Sequence, residues 1–154
     1  KTYVTDAIRE LRSLSHQLAP ASLERISLKE VIELLVNSVN IDKRYETVLL
    51  FDGLDEADMP DNLKTTVYRI LQEQLNNINK YAAATRVGIS LSVINHTVRL
   101  TIADNGKGFD PDTVKRGIGL ENMKGRVKIY NGELIVHSSP GQGCEITASL
   151  TIGS

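Results

Sequence analysis

Residues 104–120 read DNGKGFDPDTVKRGIGL. The stretch opens on Asp104 and two spaced glycines, Gly106 and Gly108. A loop of about eight residues (109–116) then leads to a second spaced pair, Gly117 and Gly119, just ahead of an expected helix. Spaced glycines let backbone approach a ligand closely, and helix N-termini favour anions. A fixed carboxylate accepts a hydrogen bond from a base amine. The combination predicts a nucleotide site. Asp-Asn-Gly alone is also an ordinary turn signal, so the reading depends on what the rest of the chain supplies.

The upstream segment supplies it. Residues 61–83 predict one long helix in which Leu63, Val67, Ile70, Leu71, Leu75 and Ile78 form a single apolar stripe. With Glu73 placed at zero and about 100° per residue, Asn77 falls near 40° and Lys80 near −20°. All three share an edge beside the stripe. A carboxylate, a neutral oxygen ligand and an ammonium in that arrangement suit a metal–triphosphate. Magnesium takes oxygen ligands and keeps several waters, so Asn77 can donate one oxygen while phosphates and water complete the shell. Lys80 can stabilise phosphate charge, and Glu73 can orient or deprotonate a nucleophile or hold a metal-bound water. Taken without Asp104 and the glycines, the same three residues are an ordinary solvated helix edge.

Elsewhere the periodicities alternate between helix and strand. Residues 2–18 have helical spacing (Val4, Ile8, Leu11, Leu14, Leu18), which Pro20 ends. Ser27-Leu-Lys-Glu30 fits a capping box that opens a second helix through Asn40. Strands are predicted at 45–52, 86–94, 97–103, 133–138 and 144–152, with Asn95-His96 as a hairpin turn. A helix after Gly119 stops at Asn131-Gly132. The sum is an α+β fold: a two-layer sandwich with a mixed, mostly antiparallel sheet and helices on one face.

The 154 residues with 41% hydrophobic content allow one domain with a real core. A net charge of −1 gives no footprint for nucleic acid. Apolar runs are far too short for a membrane span, and no signal peptide is visible. Cys144 is the single cysteine, which excludes an internal disulfide and fits a reducing, cytoplasmic setting. The chain begins at Lys1 and reads as a piece of a longer protein whose membrane attachment its sequence leaves open.

The motifs resemble those of the ATP-binding catalytic domain of bacterial sensor histidine kinases, the GHKL or Bergerat fold, over roughly residues 28–152. RILQEQLNNINKYA (69–82) looks like the N box, DNGKGF (104–109) and GIGLENMKGR (117–126) like the two glycine boxes, and SSPGQGCEITASL (138–150) like the closing strand pair. The resemblance implies ATP and magnesium as ligands. It implies Asn77 as magnesium ligand, Glu73 as catalytic residue, and Lys80 near phosphate. It implies Asp104 accepting from the adenine amine, Gly106 and Gly108 shaping the adenine pocket, and Gly117, Gly119 and Leu120 lining the phosphates. Lys115 and Arg116 fall in the lid over the nucleotide. Tyr81 stands where the family often has His, and its ring can pack beside the nucleotide. Cys144 stands where Thr is common; a thiol is a weaker hydrogen-bonding group, and a buried structural Cys is expected. Gln74 and Asn79 add polarity without a clear message. The short lid resembles the nitrate-sensor type rather than the long-lid type.

Ser15-His16-Gln17-Leu18-Ala19-Pro20 imitates a phosphoacceptor motif. Pro20 ends its helix at once, and the 28–40 segment spans only about 20 Å at about 1.5 Å per residue, short for a hairpin partner. Residues 1–25 fit better as the end of a second dimerisation helix and its hinge, with 26–154 as the ATP-binding domain and the acceptor His upstream. His16 remains a minor candidate, while His96 and His137 read as structural. The function implied is transfer of the γ-phosphate to that histidine and relay to a response-regulator aspartate. The longer protein would be a homodimer, this fragment a monomer or weak dimer that does not autophosphorylate. The alternatives are a serine kinase of the anti-sigma-factor type and a degenerate interaction module.

Overall fold

The computed structural model describes residues 27–53, 55–113 and 117–153. The expected helix at 2–18, His16 and the proposed dimerisation-helix remnant lie outside the described residues, as do Lys115 and Arg116.

Helix α1 (Leu28–Val39) begins where the sequence places it. The Glu30 N–H donates to Ser27 Oγ at 3.1 Å, and the Ser27 N–H donates to the Glu30 carboxylate at 3.4 Å. Two of the unpaired donors of a helix start are thereby satisfied. A third, the Leu28 N–H, donates to the Glu56 carboxylate. Glu56 belongs to a short 3₁₀ turn (Glu56–Asp58) and also pairs with Lys64 at 3.9 Å. The helix then buries Leu28, Ile32, Leu35, Val36 and Val39, at three- and four-residue steps.

Strands β1 (Glu46–Asp52), β2 (Arg86–Ile94), β3 (Thr97–Asp104), β4 (Glu133–Ser138) and β5 (Cys144–Thr151) form one sheet in the order β1-β2-β3-β5-β4. The β1–β2 pair is parallel and the rest are antiparallel. A parallel pair needs a crossover connection, and helix α2 (Asp61–Asn77) supplies it. Alternation decides which face is covered. Val87, Ile89 and Leu91 of β2, Val98, Leu100 and Ile102 of β3, and Ile146, Ala148 and Leu150 of β5 all point inward and are buried. Against them pack the α2 stripe and Met123 and Val127 of helix α3 (Ile118–Lys128). This is the two-layer α+β sandwich expected, with the β2–β3 hairpin turning on Asn95 and His96, both at positive φ (51° and 61°).

One element departs from the sequence reading. The 61–83 segment is not a single α-helix: α2 ends at Asn77, and Ile78–Ala82 continue as a turn of π-helix. Ala83 then stops it in the left-handed conformation, φ 49° and ψ 41°. Two long-range ties that periodicity does not encode hold this turn: the Asn79 side chain donates to the Val39 carbonyl at 3.1 Å, and the Ala82 carbonyl, left without an intrahelical partner at the helix end, accepts the Lys107 N–H at 2.7 Å. At the far end of α3, Asn131 takes the left-handed position and the Gly132 N–H returns to the Val127 carbonyl at 2.9 Å, so the expected cap is present.

A left-handed alanine is strained by about 1–2 kcal/mol, while glycine gives back about 0.4–1 kcal/mol through the unfolded chain. Ala83→Gly is therefore expected to stabilise the fold by roughly 0.5–1 kcal/mol, measured by urea denaturation; a lower midpoint would contradict the strain assignment.

Candidate nucleotide-binding site

The motifs that are separated in sequence meet at one end of the sheet. Asp104 is the last residue of β3, a central strand, and is only 9% exposed. Its carboxylate accepts the Gly106 N–H at 2.8 Å and also a backbone N–H from Cys144, its partner on β5. Burial raises its pKa above the ordinary carboxylate value, and the two amide bonds oppose that shift only in part. A carboxylate so placed is fixed in direction and poorly hydrated, which suits it to accept from a ligand amine.

The loop after Asp104 is packed against the chain itself. A Cβ on Gly106 would overlap the Ala82 carbonyl, so only glycine lets the N-box turn and the first glycine box come this close. Gly108, at φ 63°, passes beneath the carbonyls of Ser139 and Gly143. Ser138 locks that crossing: its hydroxyl accepts the Phe109 N–H at 2.9 Å and donates to the Gly143 carbonyl at 2.8 Å. Asn105 clamps the other side, accepting the Thr85 and Arg86 amides at 2.9 Å each and donating to Thr85 Oγ1.

On α2, Glu73 and Asn77 are half-buried, while Lys80 and Tyr81 in the π-turn are exposed. Asn77 Nδ2 is directed at Gln74 Oε1, 3.5 Å away. Glu73 reaches the second glycine box: a Cβ on Gly119 would overlap its carboxylate. Gly117 is the N-cap of α3, without a side-chain cap, and a Cβ there would meet open space. The uncapped amides at that helix start form a site for negative charge. Leu120 packs half-buried on the core beneath it.

The structure therefore sets Glu73 against Gly119, joins Asp104 to Gly106, and packs Gly106 on the N-box turn and Gly108 on the β4–β5 loop, with Asn77, Lys80, Tyr81, Gly117 and Leu120 on the same or adjoining elements. Lys115 and Arg116 lie outside the described residues. Sequence reasoning missed Asn105, Ser138 and the Ala82 carbonyl, whose roles rest on backbone partners that no spacing reveals. Gln74, read from the sequence only as added polarity, is buried at helical spacing from Leu71 and Ile78. Cys144 is buried as expected, and burial together with the Asp104 charge pushes its thiol up to about 11. His96 and His137 are exposed on the turn and on β4.

Comparison with known proteins agrees with this geometry. Residues 62–153 match the family described as histidine kinase-, DNA gyrase B-, and HSP90-like ATPase. The chain belongs to that family. It is 34% identical over 152 residues to the sensor histidine kinase MctS of Rhizobium johnstonii, covering 94% of this chain and 32% of that protein. It is 33% identical over 148 residues to the sensor histidine kinase LiaS of Bacillus subtilis, covering 96% and 40%. The chain thus spans well under half of these relatives. Among solved structures it resembles the histidine kinase domain of the Erythrobacter litoralis EL346 blue-light activated kinase (TM-score 0.66, 20% identity, 81% of this chain and 65% of that one). It also resembles the mycobacterial sensor histidine kinase MprB (TM-score 0.60, 21% identity, 80% and 93%). Those two likenesses establish the fold.

Two outcomes follow from the buried groups. Because the folded pKa of Asp104 is raised, its ionisation opposes folding as pH rises through that value, and the penalty vanishes below the unfolded one. Asp104→Asn should gain stability relative to wild type at pH 7, a gain that shrinks as pH falls toward about 4; a pH-independent difference in thermal melts would refute this. Native Cys144, moved from 9.0 to about 11, should carry about a hundredfold less thiolate at pH 8 than an unfolded thiol. Alkylation by iodoacetamide should be slower by at least that factor until denaturant is added.

Proposed function

We propose that this chain is the ATP-binding catalytic domain of a two-component sensor histidine kinase. The buried Asp104 carboxylate, held by the Gly106 and Cys144 amides where the first glycine box packs on the N-box turn, is the observation that carries the reading. Its remaining acceptor capacity suits the amine of adenine. The start of α3 and Lys80 suit the phosphates. In this reading residues 26–154 form the domain, and residues 1–25 are the end of a dimerisation helix with its hinge. The names of the curated relatives, two of them sensor histidine kinases, favour histidine over serine as acceptor.

Oxygen donors suit magnesium, and Asn77 presents an amide oxygen beside the Glu73 carboxylate's helix edge. Among the described residues there is no cluster of three or more His, Cys, Asp or Glu. The protein would therefore contribute one or two oxygens to the ion, the phosphates and water supplying the rest. Bound there, magnesium would neutralise phosphate charge.

The chain's own residues position the reactants. Asp104 fixes the base, the α3 amides and Lys80 hold the phosphates, and Glu73 orients the incoming imidazole and takes its proton. An imidazole nitrogen bonds to the γ-phosphorus as the bond from that phosphorus to the bridging oxygen breaks, and ADP leaves. Catalysis is mainly positioning and charge stabilisation. The acceptor histidine lies upstream of this chain, on the dimerisation domain of a homodimeric longer protein. Its phosphate passes to a receiver-domain aspartate.

Calorimetric titration with a non-hydrolysable ATP analogue and magnesium tests the reading. Asp104→Asn exchanges a charge-assisted acceptor worth about 1.5–3 kcal/mol for a neutral one, so affinity should drop roughly tenfold or more. Glu73→Gln should retain binding yet abolish transfer to an added dimerisation domain. Failure of the wild type to bind would reject the proposal.

A further inference from the structure

Asn79 lies between two residues given roles above, yet points away from both. Its Nδ2 donates to the Val39 carbonyl at 3.1 Å, a bond spanning forty positions of sequence. Val39 ends α1, so its carbonyl is among those a helix C-terminus leaves without an intrahelical partner. The anchor is itself well held. The Asn40 N–H closes on the Val36 carbonyl, and the Asn40 side chain donates to the Tyr45 carbonyl at 2.7 Å and accepts the Arg44 amide at 2.9 Å.

The other half of the amide has no such partner. Among the described residues, Asn79 Oδ1 and the Tyr45 hydroxyl are the buried polar side-chain atoms without a hydrogen bond. An unpaired buried oxygen opposes the stabilisation that the Nδ2 bond provides. What the bond secures is a conformation. That conformation is the π-turn of Ile78–Ala82. It displaces Lys80 from its α-helical azimuth, and the Ala82 carbonyl at its end accepts the Lys107 N–H. A turn of π-helix is intrinsically rare, so it needs a non-local tie, and Asn79 is the polar side chain within the turn that provides one.

We infer that Asn79 is a positioning residue for the phosphate side of the site: by fastening the N-box turn to the end of α1, it sets Asn77 and Lys80 for the metal–triphosphate and holds the Ala82–Lys107 contact. The inference rests on the functional reading above. The adenine side rests on Asp104 and its β5 partner, and the tie reaches it only indirectly, through the Ala82–Lys107 contact.

The test compares wild type and Asn79→Ala in the full 154-residue chain, titrated with a non-hydrolysable ATP analogue in magnesium and again in EDTA. Asn79→Ala should lose about tenfold in affinity with magnesium and a clearly smaller factor in EDTA, with a melting temperature within a few degrees of wild type. Amide exchange should quicken at Lys107 but not in the middle of α2. Equal affinities in magnesium, or equal losses with and without it, overturn the inference, as does unchanged exchange at Lys107. A wild type that binds no analogue overturns the functional reading, and the inference falls with it. Should Asn79→Ala not fold, the milder Asn79→Ser, whose hydroxyl is too short to reach Val39, undergoes the same two measurements.

Discussion

Leu63, Val67, Ile70, Leu71 and Leu75 are fully shielded between α2 and the inner face of the sheet, and this contact orients everything else. Once the apolar stripe is seated, rotation of α2 is fixed, because turning it would expose those side chains at about 1.5–3 kcal/mol each. Glu73 and Asn77 then have one direction available, along the edge toward α3 and the end of β3. The polar residues are aimed by their hydrophobic neighbours on the same helix.

The site assembled at that edge is largely chain packed on chain. Gly106 lets the first glycine box touch the N-box turn, and Gly119 makes room for the Glu73 carboxylate. Glycine in these motifs therefore serves internal fit as well as closeness to a ligand. The amides around Asp104 show the same economy of parts: two backbone donors fix a buried carboxylate that the apolar surroundings would otherwise disfavour.

Much of this was legible from residues alone. The α2 stripe, the alternation in β2 and β3, the Ser27 capping box and the Asn95-His96 turn all express local periodicity or local chemistry, and each appears where it was expected. The candidate site was legible because its motifs repeat a family pattern in order. What escaped notice depends on distant backbone. The π-turn is tied to distant backbone at Val39 and Lys107, and Ser138 acts through Phe109 and Gly143. Asn79 carried no message because its partner stands forty residues earlier on another helix. Side-chain periodicity cannot report on a carbonyl that belongs to another element.

The strand order has a temporal side. β5 lies between β3 and β4, so the strand synthesised last of the five completes the interior of the sheet. Until it arrives, β4 has no neighbour in the sheet, and Asp104, paired on one side with Val87 of β2, lacks its β5 partner and one of its two amide donors. The surroundings of Asp104 are thus complete only when residues 144–151 have joined the sheet, so a copy truncated before β5 cannot build them.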